Sequence, residues 1–202
     1  MDDAPATDTT QSALPPAPGA DRYRSLDFAD TVVTLPSGHG DDLLAAPESA
    51  MRWLAAHDLT TPDVQLYEVC AQRLRTLRAH VRALFAARVD GTPPPGESLR
   101  AVNEALTAVP TAPLLAWDGD RGLSRVRAHP TDQVVKHALA TLAADAADLL
   151  TGPDAGLLAA CGAAPCDRFL LRTHGRRHWC STRCGDRVRA ARAYARRSGA
   201  SH

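Results

Sequence analysis

CGAAPCDRFLLRTHGRRHWCSTRC, residues 161–184, is the stretch on which the fold turns. Its four cysteines, Cys161, Cys166, Cys180 and Cys184, follow the spacing C-x4-C-x13-C-x3-C. Two close pairs, each on a turn, can converge on one tetrahedral ion with sulfurs at about 2.3 Å, and they need no large core to do so. The spacing predicts a single zinc ion. Four protein thiolates leave no position for water, so the ion would be structural rather than catalytic. Four thiols could also hold an iron–sulfur cluster or pair as redox disulfides. His174 and His178 are further donors within the same stretch.

Working outward from the pairs, Arg168 to Thr173 reads as a strand, Arg176 to Trp179 as its return, and His174-Gly175 as the turn. Ser181 is a fair helix N-cap, and Arg183 to Arg197 reads as a helix with Cys184 in its first turn. A thiolate there is favoured by the helix dipole. Knuckle, hairpin and helix together make a treble-clef-like finger over residues 155–198. At 100° per residue, Arg189, Arg192 and Arg196 fall within an arc of about 60°. Val188, Ala191, Tyr194 and Ala195 occupy the other side, where they would pack over Phe169 and Trp179.

From Cys161 onward ten arginines face only Asp167 and Asp186, a surplus of eight positive charges. The chain as a whole sums to zero, so the part before Cys161 carries the matching negative surplus. Charge divided this way points to two roles, one of them engaging a polyanion; a solvated basic tail is the plainer reading. Arginine forks suit phosphates and guanine edges. The candidate nucleic-acid contacts are Arg172, Arg176, Arg177, Arg187, Arg189, Arg192, Arg196 and Arg197.

The preceding residues read as a mainly α domain over 21–152. Residues 1–20, rich in Asp, Thr, Pro and Ala, read as a disordered tail. Leu26, Phe28 and Thr31 to Thr34 could be a strand or a buried helical turn. A short helix follows Pro47. Thr61-Pro62-Asp63 reads as a helix start, and Leu66, Cys70, Leu74, Leu77, Val81, Leu84 and Phe85 form its apolar stripe. Arg73, Arg75, Arg78 and Arg82 lie off that stripe, where water should reach them. Leu99 to Val109 marks a third helix, and Pro113–Trp117 with Leu123–Arg127 a small hairpin. Thr131-Asp132 opens a fourth helix, which ends at Thr151-Gly152-Pro153.

No run approaches the roughly 20 apolar residues of a membrane span. The start, Met1-Asp2-Asp3, is acidic where a secretory signal is basic, so a cytoplasmic location and reduced thiols are expected. His39 with Asp41 and Asp42, or His57-Asp58, could be offered as acid/base or metal groups. No nucleophile–base pattern or phosphate-binding Gly-rich loop accompanies them, so no enzyme is expected.

Trp179-Cys180-Ser181-x-x-Cys184-Gly185-Asp186-Arg187, followed by Ala190-x-Arg192-x-Tyr194, resembles the CGNR zinc-finger family. Leu26 to Thr31, Asp42-Leu43-Leu44 through Trp53-Leu54, and Arg82 to Arg88 with the Gly91–Pro95 loop are similar to the ABATE domain that usually precedes that finger. The resemblance runs from about Tyr23 to Arg197. It implies a regulator of transcription in stress responses: a zinc-fixed finger on double-stranded DNA, and a helical domain that senses a small-molecule effector or self-associates as a homo-oligomer. An RNA-binding or protein-interaction adaptor is the alternative, because such fingers host many functions. Asp186 stands where the family name has asparagine, and Asp30 also replaces a common asparagine. An ionised aspartate only accepts hydrogen bonds, so the expected role for Asp186 is to pair with Arg187 or with backbone N–H groups.

Overall fold

Helix α3, Glu68–Asp90, is the spine of the molecule. A computed structural model describes residues 15–34, 40–61, 64–109, 114–126, 133–175 and 177–199. Ala71, Leu74, Leu77, Val81, Leu84 and Phe85 of α3 are buried at three- and four-residue steps, as the apolar stripe requires. The helix ends on Gly91 at φ +66°, a left-handed cap that favours glycine. Its start differs from the expected one. Thr61 is not helical, Pro62 and Asp63 lie outside the described residues, and Val64 to Tyr67 belong to no helix or strand. Leu66 drops into the core before the helix begins.

Around α3 pack α1 (Arg24–Ala29), α2 (Pro47–Ala56), α4 (Gly96–Thr107) and α5 (Val134–Thr151). Thr131 and Asp132, the expected start of α5, lie outside the described residues. The segment around Thr31 holds both of the structures its composition left open: α1, then strand β1 (Val32–Thr34), which pairs antiparallel with β2 (Gly40–Asp42). The expected hairpin forms as β3 (Leu114–Asp118) and β4 (Gly122–Val126), with Leu115, Trp117 and Leu123 exposed on one face.

Three arginines of α3 are not left to water. Arg78 is buried and grips Asp42 at 2.5 and 2.7 Å while donating to Thr31 Oγ1 at 3.0 Å. Arg75 donates to the carbonyls of Leu44 and Ala45, and Arg82 to that of Ala29. The α1–β1–β2 layer covers this face of α3, and long guanidinium stems reach across it to satisfy buried carbonyls. Asp42 is thereby held below the usual carboxylate range: burial pushes it up, but the bonds from Arg78 and the Leu44 N–H, with the charges of Arg78 and Arg75, together outweigh that.

The C-terminal part departs most from expectation. Strand β6 (Phe169–Leu171) pairs backward with β5 (Leu158–Ala160), not forward with Arg176–Trp179. Arg177 to Trp179 form no strand, and Arg176 lies outside the described residues. All three residues of β6 are buried, and a partner rich in arginine would have carried unpaired charge inward. Alternation along this two-stranded sheet then divides its side chains. Leu158, Phe169 and Leu171 join the helical core, while Ala159 and Leu170 join a second core with the four cysteines. The sheet is a wall shared by both cores.

Residues 15–20, expected as tail, lie along that wall. Ala17 is buried in the cysteine core, and the Leu171 N–H donates to the Pro18 carbonyl at 2.7 Å. Gly19 sits at φ +96° with so little room that a Cβ would lie 2.5 Å from Leu171 Cγ.

Candidate metal centre

Cys161 and Cys166 flank the turn of the β5–β6 hairpin. The Cys161 N–H donates to Arg168 O at 2.8 Å, and the Cys166 N–H to Ala163 O at 2.9 Å, which closes the knuckle. Cys180 precedes α6 (Thr182–Gly199), and Cys184 lies in its first turn. Ser181 caps this helix as expected, its Oγ accepting from the Cys184 N–H at 3.2 Å. The two turns are tied by Gly162, whose N–H donates to His178 O at 2.9 Å. The Cys180 N–H points at Cys161 Sγ, 3.4 Å away.

All four cysteines are buried, and their sulfurs lie within 4.8 Å of one another. Cys166 Sγ is 3.7 Å from Cys180 Sγ, which is 3.6 Å from Cys184 Sγ. A tetrahedron with zinc–sulfur bonds of 2.3 Å has edges of about 3.8 Å, so the donor set fits one zinc ion. Thiols this close cannot all ionise against each other. Hydrogen bonds from Cys166 and Cys180 pull the Cys161 thiol down to about 2. The same cluster pushes Cys180 up to about 12 and Cys166 higher still. A divalent cation replaces the shared protons and lets every sulfur serve as thiolate. The site is closed and structural.

Two guanidiniums attend the sulfurs. Arg168 is buried, with Nη1 3.9 Å from Cys180 Sγ and 2.9 Å from the Pro15 carbonyl. Its Nε donates to Asp30 Oδ2 at 3.1 Å, and Asp30 Oδ1 accepts from the Phe169 N–H at 2.8 Å. Burial pushes the Asp30 carboxyl up to about 7, with Arg168 pulling the other way. Arg187 donates to the Ala163 carbonyl and lies 3.8 Å from Cys184 Sγ. Four thiolates around a dication leave two negative charges, which these two arginines offset.

Arg168 is a site residue that lies outside the sequence-based candidates; its place two residues after Cys166 is the signal for it. Arg187 stood among the outward candidates and instead turns onto the knuckle. Arg189 is exposed but held, its guanidinium 5.7 Å over the Trp179 ring and paired with Asp186 at 2.5 Å. Asp186 therefore pairs with Arg189 rather than Arg187. Arg172, Arg177, Arg192, Arg196 and Arg197 are exposed, and Arg176 lies outside the described residues.

The expected apolar face of α6 is also smaller than its sequence implies. Val188 and Trp179 pack on the cysteine core, but Ala191, Tyr194 and Ala195 are exposed. Phe169 is not beneath α6 at all: it meets Phe85 edge-on at 5.6 Å and Arg82 at 5.3 Å in the helical core. Two of the offered acid/base groups are engaged in ion pairs. Asp42 holds Arg78, and His57 Nε2 lies 2.9 Å from Asp27 Oδ2. His39 lies outside the described residues.

Residues 24–153 match the model of the ABATE domain, described as "Putative stress-induced transcription regulator". The chain belongs to the ABATE family. Residues 158–197 match the CGNR zinc finger, so the junction falls within the 3₁₀ turn Pro153–Leu157. No curated protein matches the chain. An ABATE domain is thus joined to a CGNR finger that holds one structural zinc ion, the architecture of this regulator family. Within the finger's signature here, Cys184 is a metal ligand and Gly185 admits the indole. A Cβ on Gly185 would lie 3.1 Å from the Trp179 ring. Asp186 holds Arg189, and Arg187 braces the knuckle.

Proposed function

We propose that this ABATE protein is a DNA-binding transcriptional regulator that docks on double-stranded DNA through the zinc-anchored helix α6. The observation that carries the reading is the contrast along that helix. Cys184 and Gly185 of its first turn are buried at the metal site, whereas Arg189 to Ser198 are exposed apart from half-buried Ala193. Eighteen residues span about 27 Å, so the outer turns can enter a major groove about 12 Å wide. Arg192, Arg196 and Arg197 lie on that stretch, Arg177 adds charge at its base, and Arg172 is exposed just after β6. Zinc fixes the lever at one end, and arginines position it on phosphates, with one or two reaching base edges.

The ABATE domain would then respond to an effector or a second copy. A cleft of about 430 Å³ between α3, α4 and α5, bordered by Leu77, His80, Glu104 and Lys136, supports the effector arm of this reading. The engagement of Asp42 and His57 in structural ion pairs supports a non-catalytic role. Among the described residues no helix is long and apolar enough to cross a membrane, and reduced thiols suit the cytoplasm.

Fluorescence anisotropy with labelled duplex DNA across a salt series tests the proposal. Affinity should fall steeply, with a logarithmic slope of about −0.9 for each phosphate contacted. A flat salt response would overturn it. Structured RNA that competes as well as duplex would transfer the finger to the RNA-adaptor reading.

A further inference from the structure

The turn at His174–Arg177 and the base of α6 enclose a cleft of about 350 Å³. Among the described residues it is lined by Arg177, Arg189, His174, Ser181, Thr182 and Trp179, and by no carboxylate residue. That volume exceeds what a lone ion needs and lies at the lower end of the range for small-ligand sites, about 300–1,000 Å³. The zinc site builds the walls: Trp179 precedes ligand Cys180, Ser181 and Thr182 follow it, and Gly185 follows ligand Cys184.

Arg189 is the informative residue. A side chain at Gly185 would meet both the Trp179 ring and Arg189 Nη1 at 3.1 Å. Bare glycine therefore lets the guanidinium lie over the indole, and Asp186, outside the cleft lining, holds it by a salt bridge. A cation fixed in this way loses less freedom on meeting an anion than one swinging on the helix surface. Arg177 belongs to the facing turn, whose N–H bonds back to His174 O at 2.9 Å.

We propose that this cleft seats one phosphodiester of a nucleic-acid backbone. The phosphate is gripped between Arg177 and Arg189, the Thr182 hydroxyl donates to it, and the attached sugar lies against the edge of Trp179. This inference rests on the DNA-binding reading and sharpens it: α6 is registered on DNA by its zinc-bound base, while Arg192 and Arg196 further along contact other phosphates.

Two measurements on the zinc-loaded full chain separate the cleft from the larger reading. The first is NMR titration with the dinucleotide dTpdT, following the Trp179 indole N–H and the Thr182 amide. Saturable shifts are expected in the wild type and not in Arg177→Gln/Arg189→Gln. The second is the salt slope of duplex binding, which should shrink by about one in that double variant. Thr182→Glu is the companion variant. An acid in the first turn suits the helix but places negative charge in the cleft, so it should abolish the dinucleotide shifts while zinc content is kept. Duplex binding with an unchanged slope in both variants overturns the cleft and leaves the DNA reading standing. Dinucleotide shifts without duplex binding by the wild type support the cleft and overturn the DNA reading. Absence of dinucleotide shifts at saturating concentration overturns the cleft outright.

Discussion

His57 is held toward its charged form by what surrounds it. Its Nδ1 lies 2.8 Å from the Trp53 carbonyl and its Nε2 2.9 Å from Asp27 Oδ2, and both partners only accept. Each ring nitrogen thus faces an acceptor, which favours the imidazolium form of the ring stacked on Trp53 at 4.1 Å. Burial and nearby Arg24 lower its pKa, but the bonds to Asp27 and to the Trp53 carbonyl raise it above 6.5 overall. Asp27 is lowered below 3.8: burial pushes it up, and the bond and charge of His57, with the Trp53 bond and Arg168, together outweigh that. The His57 contribution to stability is complete below 6.5 and is lost as pH rises through the folded-state value. The Asp27 contribution is present above 3.8 and is lost as pH falls through its lowered value. A proton NMR titration should place His57 above 6.5, and Asp27→Asn should lower it. A wild-type ring titrating at or below 6.5 would rule out the pair. Arg168 follows the same logic of surroundings, since its destination depends on Asp30 and the sulfurs rather than on its neighbours in the chain.

At the scale of elements, β6 does the most with the fewest residues. Phe169 and Leu171 face one core and Leu170 the other, while β5 takes one edge and the strap of residues 15–19 bonds through Pro18 along the other. The strap depends on Gly19. Gly19→Ala adds a Cβ inside the Leu171 side chain and also forces φ +96° on an alanine. Gly91→Ala has a similar backbone penalty at φ +66° but meets nothing within 4 Å. Thermal denaturation should rank them: about 1–2 kcal/mol lost at Gly91 from the left-handed backbone, and about 1–3 kcal/mol more at Gly19 from overpacking. Equal losses would show that the strap does not press on β6.

For the whole molecule, the shared wall makes the zinc centre a concern of the ABATE domain. Metal binding supplies folding energy to a small module, and here that module holds Phe169 and Leu171 in the helical core. Asp167, next to the knuckle, also reaches out of it, accepting from Arg82 of α3 and from Thr34 of β1. Cys184→Ser should therefore abolish zinc binding and lower the melting midpoint of the helical circular-dichroism signal as well. An unchanged helical midpoint would show that the finger folds as an independent tail. The cysteine spacing, the α3 stripe, the 114–126 hairpin and the Ser181-capped helix were all legible in the chain. Each rests on a local rule: the geometry of a tetrahedral ion, a period of 3.6 or 2, or a cap. The partner of β6, the docking of residues 15–19, and the inward turn of Arg78, Arg82, Arg168 and Arg187 were settled only by tertiary structure. A guanidinium on a long stem has no periodic signature, and a three-residue strand pairs with whichever segment can share its burial. Both outcomes are decided by surfaces brought together from distant parts of the chain.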